Sequence, residues 1–121
     1  MKTKIWGYEI ALDLIDVDLE IIKNPDEIRR YVKELLTLID MTPYGETILH
    51  HFGNCPEVEG YTMMQMIETS LISAHFVEAS SCAYINCFSC KEFDFREVEK
   101  FSRQFFNARR VYINKLYRFG K

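Results

Sequence analysis

The sequence of 121 residues has no hydrophobic run long enough to cross a membrane. A transmembrane helix needs about 18 or more largely apolar residues in succession, and no apolar stretch here approaches that length. The N-terminal segment soon carries Glu9 and Asp13, and it lacks the apolar core and cleavage pattern of a signal peptide. We therefore expect a cytoplasmic protein that has no membrane partner.

An excess of positive charge is also missing. The net charge is −3 and the pI is about 5.6, and the pair Arg109-Arg110 is too short to form the basic patch of a nucleic-acid-binding protein. We therefore expect no nucleic-acid partner. Repeats and low-complexity segments are absent, while hydrophobic residues make up 48% of the chain and aromatic residues 14%. That composition suffices for the core of one domain covering residues 1–121.

The four cysteines lack the spacing of a zinc site. Cys87 and Cys90 lie three residues apart, and on a strand such residues point to opposite faces. A structural zinc site also needs a second pair of ligands, so we expect no metal. In a cytosolic chain the thiols stay reduced. Cys82 and Cys87 are then small apolar core residues, and Cys55 lies in a predicted loop.

Hydrophobic patterns predict strands and helices in a mixed order. Asn24 followed by Pro25 marks the start of one helix, and Asp94 with Glu97 marks the start of another. Strands are predicted at residues 5–17, 47–52, 61–67, 71–77, 83–89 and 109–117, with a loop at residues 53–60. This order favours an α+β two-layer sandwich, in which two helices pack on one face of a mainly antiparallel sheet.

The window of residues 68–90 contains three side chains that can do chemistry. Ser70, His75 and Cys90 supply a hydroxyl, an imidazole and a thiol, which is the kind of set that covalent catalysis needs. Spacing alone also allows all three to be structural, since these residue types are common in strands.

The same window predicts a hairpin. If it is centred near Ser80, residues whose numbers sum to about 160 face each other, so that Ser70 lies opposite Cys90 and His75 lies opposite Ile85. Alternation along a regular strand sends Ser70 and His75 to opposite faces. The two can share a site only if Ser70 lies in a turn or bulge before the strand.

These residues resemble the core of the prokaryotic, pyruvoyl-dependent S-adenosylmethionine decarboxylases. That family has a Glu-Ser cleavage site, a histidine five residues after the serine, and a Phe-Thr-Cys-Gly segment. Here His75 follows Ser70 by five residues, and Cys90 follows His75 by fifteen within Phe88-Ser89-Cys90. The resemblance extends over most of the chain in length and element order. It implies homodimers whose active sites lie between protomers.

The resemblance also implies roles for residues outside the trio. Thr62 falls where the family has a hydroxyl residue that assists self-processing, and we expect it to polarise the scissile carbonyl. Phe52 is similar to the aromatic residue that stacks on adenine. Glu68 belongs to the cleavage segment, which reads Glu68-Thr69-Ser70 and is one residue longer than the family's Glu-Ser. Either Glu68-Thr69 or Thr69-Ser70 can therefore be the scissile bond. Lys91 follows the cysteine where the family has glycine.

The chemistry implied by the resemblance begins with attack of Ser70 on the carbonyl of Thr69. His75 then removes the Cα proton of residue 70, and elimination and hydrolysis leave a pyruvoyl cofactor derived from Ser70. Its carbonyl forms a Schiff base with the substrate amine and accepts electrons as CO2 leaves. Cys90, a thiol protonated at neutral pH, returns a proton to the substrate carbon.

Three functions follow as alternatives. The first is decarboxylation of S-adenosylmethionine for spermidine biosynthesis, which an adenine stack on Phe52 favours. The second is pyruvoyl-dependent decarboxylation of an amino acid such as ornithine or arginine, which the altered flanks of the site allow. The third is an unprocessed, non-catalytic homologue that acts as a binding or partner subunit.

Overall fold

The computed structural model describes residues 4–121, which form one six-stranded sheet and three helices. The strands lie in the order β2-β3-β4-β5-β1-β6, and every neighbouring pair is antiparallel. The elements are β1 (Lys4–Ile15), α1 (Leu19–Ile22), α2 (Pro25–Leu38), β2 (Pro43–Phe52), β3 (Gly60–Ile67), β4 (Ser70–Val77), β5 (Cys82–Ser89), α3 (Phe95–Phe105) and β6 (Arg110–Gly120). The predicted α+β sandwich is confirmed. Among the helices of residues 4–121, none has both the length and the hydrophobicity that crossing a membrane requires.

Both predicted helices begin at their predicted caps. The Asn24 side chain accepts hydrogen bonds from the backbone N–H groups of Asp26 and Glu27, and Pro25 takes the first helical position. The Asp94 side chain accepts one from the N–H of Arg96. The short helix α1 was not predicted, because four residues are too few to show a helical period.

Strand β2 begins at Pro43, four residues before the start predicted at residue 47. Its pairing with β3 is irregular between Tyr44 and Ile48. Gln65 of β3 compensates for this irregularity, since its side-chain amide donates to the carbonyls of Tyr44 and Gly45 and its carbonyl accepts from the Thr47 hydroxyl. Gly45 has a φ of 73°, a conformation that glycine adopts at little cost.

One face of the sheet carries the core, and the other, which we call the open face, does not. Alternation along β3 shows the difference: Met63 is fully buried, whereas Met64 is 42% exposed and Met66 51%. Met64 and Met66 therefore lie outside the core. The open face presents large apolar side chains from four strands: Ile48, Met64, Met66, Tyr84, Tyr112 and Leu116.

Tyr31 joins the two long helices at the centre of the core. It is fully buried, its ring stacks on Phe101 at 5.6 Å, and its hydroxyl oxygen lies 2.6 Å from Oγ of the buried Ser102. Burial raises the pKa of the Tyr31 hydroxyl above its ordinary value, so the side chain stays neutral. Each hydroxyl is the hydrogen-bond partner of the other in a part of the core that water does not reach.

Tyr31→Phe should lower the free energy of unfolding by about 1–3 kcal/mol, because Ser102 then keeps a buried hydroxyl without its partner. Adding Ser102→Ala should restore much of the loss, since both polar groups are then gone. Denaturant unfolding of the two variants and the parent measures this. A double variant no more stable than Tyr31→Phe would contradict the explanation.

Candidate active site

The hairpin of β4 and β5 forms where the sequence predicted it, but its register differs by one residue. Val77 pairs with Cys82 across a four-residue turn, so paired residue numbers sum to 159 rather than about 160. Ser70 therefore lies opposite Ser89, not Cys90, and the predicted facing pair was wrong. The reason is the turn, which is centred between residues 79 and 80 rather than on Ser80.

The same shift moves the histidine. His75 lies opposite Tyr84, not Ile85 as predicted. No bulge separates Ser70 from the rest of β4, because its pairing with β5 is continuous from Ser70 to Val77. Ser70 therefore shares the helix-covered face with Ile72, and His75 points to the open face. At about 3.3 Å per residue the two lie roughly 16 Å apart along the strand, and one chain does not bring them together.

The residues around Ser70 hold the preceding peptide in place. The backbone N–H of Cys90 donates a hydrogen bond of 3.0 Å to the carbonyl oxygen of Thr69. That oxygen belongs to the Thr69-Ser70 peptide bond, so the N–H withdraws electrons from the carbonyl that a Ser70 hydroxyl would attack. A backbone donor aimed at a carbonyl oxygen also stabilises negative charge that develops there.

A second chain of hydrogen bonds fixes the side chain of Thr69. The hydroxyl of Ser89 donates to Oγ1 of Thr69 at 2.7 Å and accepts from the backbone N–H of Lys91 at 2.9 Å. Ser89 is fully buried, so this contact is shielded from water. The ammonium of Lys91 in turn contacts the backbone oxygen and the carboxylate of Asp40. We call Thr69, Ser70, Ser89 and Cys90 the serine group.

Sequence reasoning missed Ser89 and the backbone N–H of Cys90. The length of the polar turn carried the signal, because an even-numbered turn of four residues places Ser89 rather than Cys90 opposite Ser70. The role of a backbone N–H leaves no mark on residue type.

Thr62 contacts the histidine, not the scissile carbonyl. It lies directly opposite His75 on β3, and its Oγ1 is 2.7 Å from Nδ1 of that ring. Nε2 of His75 is 2.8 Å from the carbonyl oxygen of Val58. A carbonyl can only accept, so Nε2 carries a proton, and in the neutral imidazole Nδ1 accepts from the Thr62 hydroxyl. The expected hydrogen bond from Thr62 to the Thr69 carbonyl was wrong, and the N–H of Cys90 takes that place.

Phe52 lies at the histidine end of the sheet. It is the last residue of β2, it is 49% exposed, and its ring lies 4.5 Å from that of His50. We call Phe52, Thr62 and His75 the histidine group. Glu68 lies at the other end, in the turn before β4, where its backbone N–H donates to the carbonyl of Thr42 and its side chain is exposed.

The two thiols near the serine group differ in reactivity. Cys87 is fully buried, and burial raises its pKa to about 12, with the charge of Glu9 adding to the effect. It stays protonated and inert, in agreement with its predicted role in the core. Cys90 is exposed at the end of β5, so it is the thiol at this end that a small molecule can reach.

Comparisons with known proteins identify the family and the fold. The model of the S-adenosylmethionine decarboxylase family matches residues 8–119. The fold is similar to the crystal structure of the adenosylmethionine decarboxylase from Aquifex aeolicus VF5, with a TM-score of 0.80 and 20% identity over 95% of this chain and 92% of that one. No curated protein sequence matches significantly. Since the family match spans nearly the whole chain, this protein belongs to the S-adenosylmethionine decarboxylase family of carboxy-lyases.

Proposed function

We propose that this protein cleaves its own Thr69-Ser70 bond and acts as a pyruvoyl-dependent decarboxylase of S-adenosylmethionine in spermidine biosynthesis. One observation carries the proposal: the carbonyl oxygen of Thr69 accepts a hydrogen bond from the backbone N–H of Cys90, with an N–O distance of 3.0 Å. The donor polarises the peptide bond that precedes Ser70. The family membership of the chain supports the substrate.

Cleavage uses only groups of the chain and one water molecule. The hydroxyl oxygen of Ser70 bonds to the carbonyl carbon of Thr69, the C–N bond breaks, and the amide becomes an ester with a free amine. During this exchange the N–H of Cys90 stabilises the negative oxygen. A base then removes the Cα proton of residue 70, and the ester oxygen leaves Cβ as the carboxylate of Thr69. Water replaces the nitrogen of the resulting dehydroalanine, ammonia is released, and a pyruvoyl group remains.

The serine group fits a pyruvoyl group at position 70. A pyruvoyl group supplies a carbonyl that accepts electrons from a substrate as CO2 leaves. Ser89 and Thr69, held by their 2.7 Å hydrogen bond, define the polar wall beside it. The exposed Cys90 thiol holds a proton that it can donate to the substrate carbon. Phe52 provides an exposed ring on which an adenine can stack.

The site requires two copies of the chain. Within one copy His75 lies on the open face, about 16 Å along β4 from Ser70. The open face is rich in apolar side chains, which favours packing of two sheets face to face. We place the two-fold axis of the dimer between the two facing sheets and perpendicular to their strands. The end of one sheet that carries the histidine group then faces the end of the partner's sheet that carries the serine group. The partner's imidazole then approaches the Cα–H of residue 70 from the face opposite to the Ser70 side chain.

Intact-mass spectrometry of the purified wild-type protein tests cleavage. We expect two chains, residues 1–69 and residues 70–121, the second with a blocked N-terminus. Release of CO2 from carboxyl-labelled S-adenosylmethionine, ornithine and arginine then tests the substrate, and S-adenosylmethionine should give the signal. A single unbroken mass would refute self-processing and favour a binding subunit. Cleavage after Glu68 would refute the scissile bond, and CO2 from an amino acid alone would refute the substrate.

A further inference from the structure

Three charged or titratable side chains converge at the end of the sheet near the loop of residues 53–59. They are His51, Glu59 and Glu78, and their ligand atoms all lie within 4.8 Å of one another. Nε2 of His51 is 2.8 Å from a carboxylate oxygen of Glu78, whose side chain is only 17% exposed. The proposed decarboxylation uses none of the three.

The backbone holds these side chains in position. The N–H of Glu78 donates to the carbonyl of Glu59 at 2.9 Å. Gly60 has a φ of 151°, and a Cβ there would lie 1.7 Å from the carbonyl oxygen of Phe76. No other residue fits this contact, so the glycine fixes the direction in which Glu59 leaves the strand. The cluster is therefore built on β2, on the residue before β3 and on the turn after β4.

The cluster lies on the side of the sheet opposite the open face. His51 pairs with Tyr61, its ring meets the Tyr61 ring edge-on at 4.9 Å, and Tyr61 packs against the core. The neighbouring His50 points the other way, towards the open face, and pairs with Thr62. Dimerisation through the open face therefore leaves the cluster accessible.

We propose that His51, Glu59 and Glu78 bind a divalent transition-metal ion. One imidazole and two carboxylates from separate elements form a ligand set that suits zinc, cobalt or manganese, whereas magnesium and calcium prefer oxygen ligands alone. The ion takes the place of the direct contact between Nε2 of His51 and the Glu78 carboxylate. Three protein ligands leave further positions on the ion open to water.

The ion would also fix the loop that contacts the histidine group. Glu59 follows Val58, and the carbonyl of Val58 accepts the proton on Nε2 of His75. Metal bound by Glu59 would therefore restrain the neighbouring Val58 carbonyl that contacts His75.

Titration of the metal-free, full-length protein with Co²⁺ tests the site. We expect one ion per chain, a visible ligand-field spectrum without a thiolate-to-cobalt charge-transfer band, and an increase in the melting temperature. His51→Ala and Glu59→Gln should each weaken binding by about tenfold or more. Zn²⁺ should displace Co²⁺, and Mg²⁺ should not.

His50→Ala is the matched control, because it removes a neighbouring imidazole from the other face, and Cys55→Ser removes the exposed thiol of the same loop. Both should bind Co²⁺ as the parent does. Circular dichroism in the presence of a chelator checks that each variant is folded. Absence of binding, or binding that survives His51→Ala and is lost in Cys55→Ser or His50→Ala, would overturn the proposal.

Discussion

Ser70→Ala is expected to leave the purified protein as one unbroken chain, whereas the wild type is expected to give two. The variant removes the hydroxyl oxygen that attacks the Thr69 carbonyl in the proposed mechanism, while the Cys90 N–H still polarises that carbonyl. Polarisation alone does not break a peptide bond, since the acyl group needs an acceptor. Intact-mass spectrometry measures the result, and decarboxylation should be lost together with cleavage.

Two controls separate this effect from a general change in the hairpin. Ser73→Ala removes a hydroxyl from the same strand on its other face, opposite Asn86, and should cleave normally. Cys90→Ala removes the thiol but keeps the backbone N–H, so cleavage should continue while decarboxylation slows by about 10²–10⁴-fold. Cleavage that persists in Ser70→Ala would show that the scissile bond lies elsewhere. Loss of cleavage in Ser73→Ala would point to a folding defect.

Mixing two inactive variants is expected to restore activity. Ser70→Ala and His75→Ala should each fail to mature alone, but co-expression should give both cleavage and decarboxylation. If each site takes Ser70 from one chain and His75 from the other, a mixed dimer has one intact site and one site that lacks both groups. Random pairing makes half of the dimers mixed, so roughly a quarter of the wild-type sites should form.

The experiment tests whether Ser70 and His75 of different chains form one site. Ser70 and His75 lie on opposite faces of one regular strand, so a site within one chain would require β4 to rebuild. Co-expressed, differently tagged chains purified through both tags allow the mixed dimer to be assayed directly. A double variant, Ser70→Ala/His75→Ala, co-expressed with wild type is the matched control, because its mixed dimers have no intact site. Activity absent from the purified mixed dimer would contradict a shared site.

The two long helices and the six strands could be predicted because local signals encode them. Asn24 and Asp94 cap their helices through contacts within three residues, and alternation marks each strand. The start of β2 was missed because its irregular pairing depends on Gln65, a residue about twenty positions away. Side-chain contacts at that separation leave no periodic trace in a sequence.

Candidate residues for the site could be named from the sequence, but their arrangement could not. The family resemblance singled out Ser70, His75 and Cys90, but one residue of register decides which of Ser89 and Cys90 faces the serine. The partner of Thr62 depends on a second register, that of β3 with β4, which sequence reasoning did not fix. Electrostatic effects such as the raised pKa of Cys87 follow from burial, which becomes known only with the fold.

The irregular start of β2 has a consequence for solubility. An outer strand with free N–H and C=O groups is a template on which other chains can stack into fibrils. Between Tyr44 and Ile48 the outer strand advances four residues while β3 advances two, and the Gln65 amide occupies two of its carbonyls from the inner side. The edge strand β2 is therefore irregular at the point where a regular row of hydrogen bonds to another chain would have to begin. This irregularity disfavours association of sheets edge to edge.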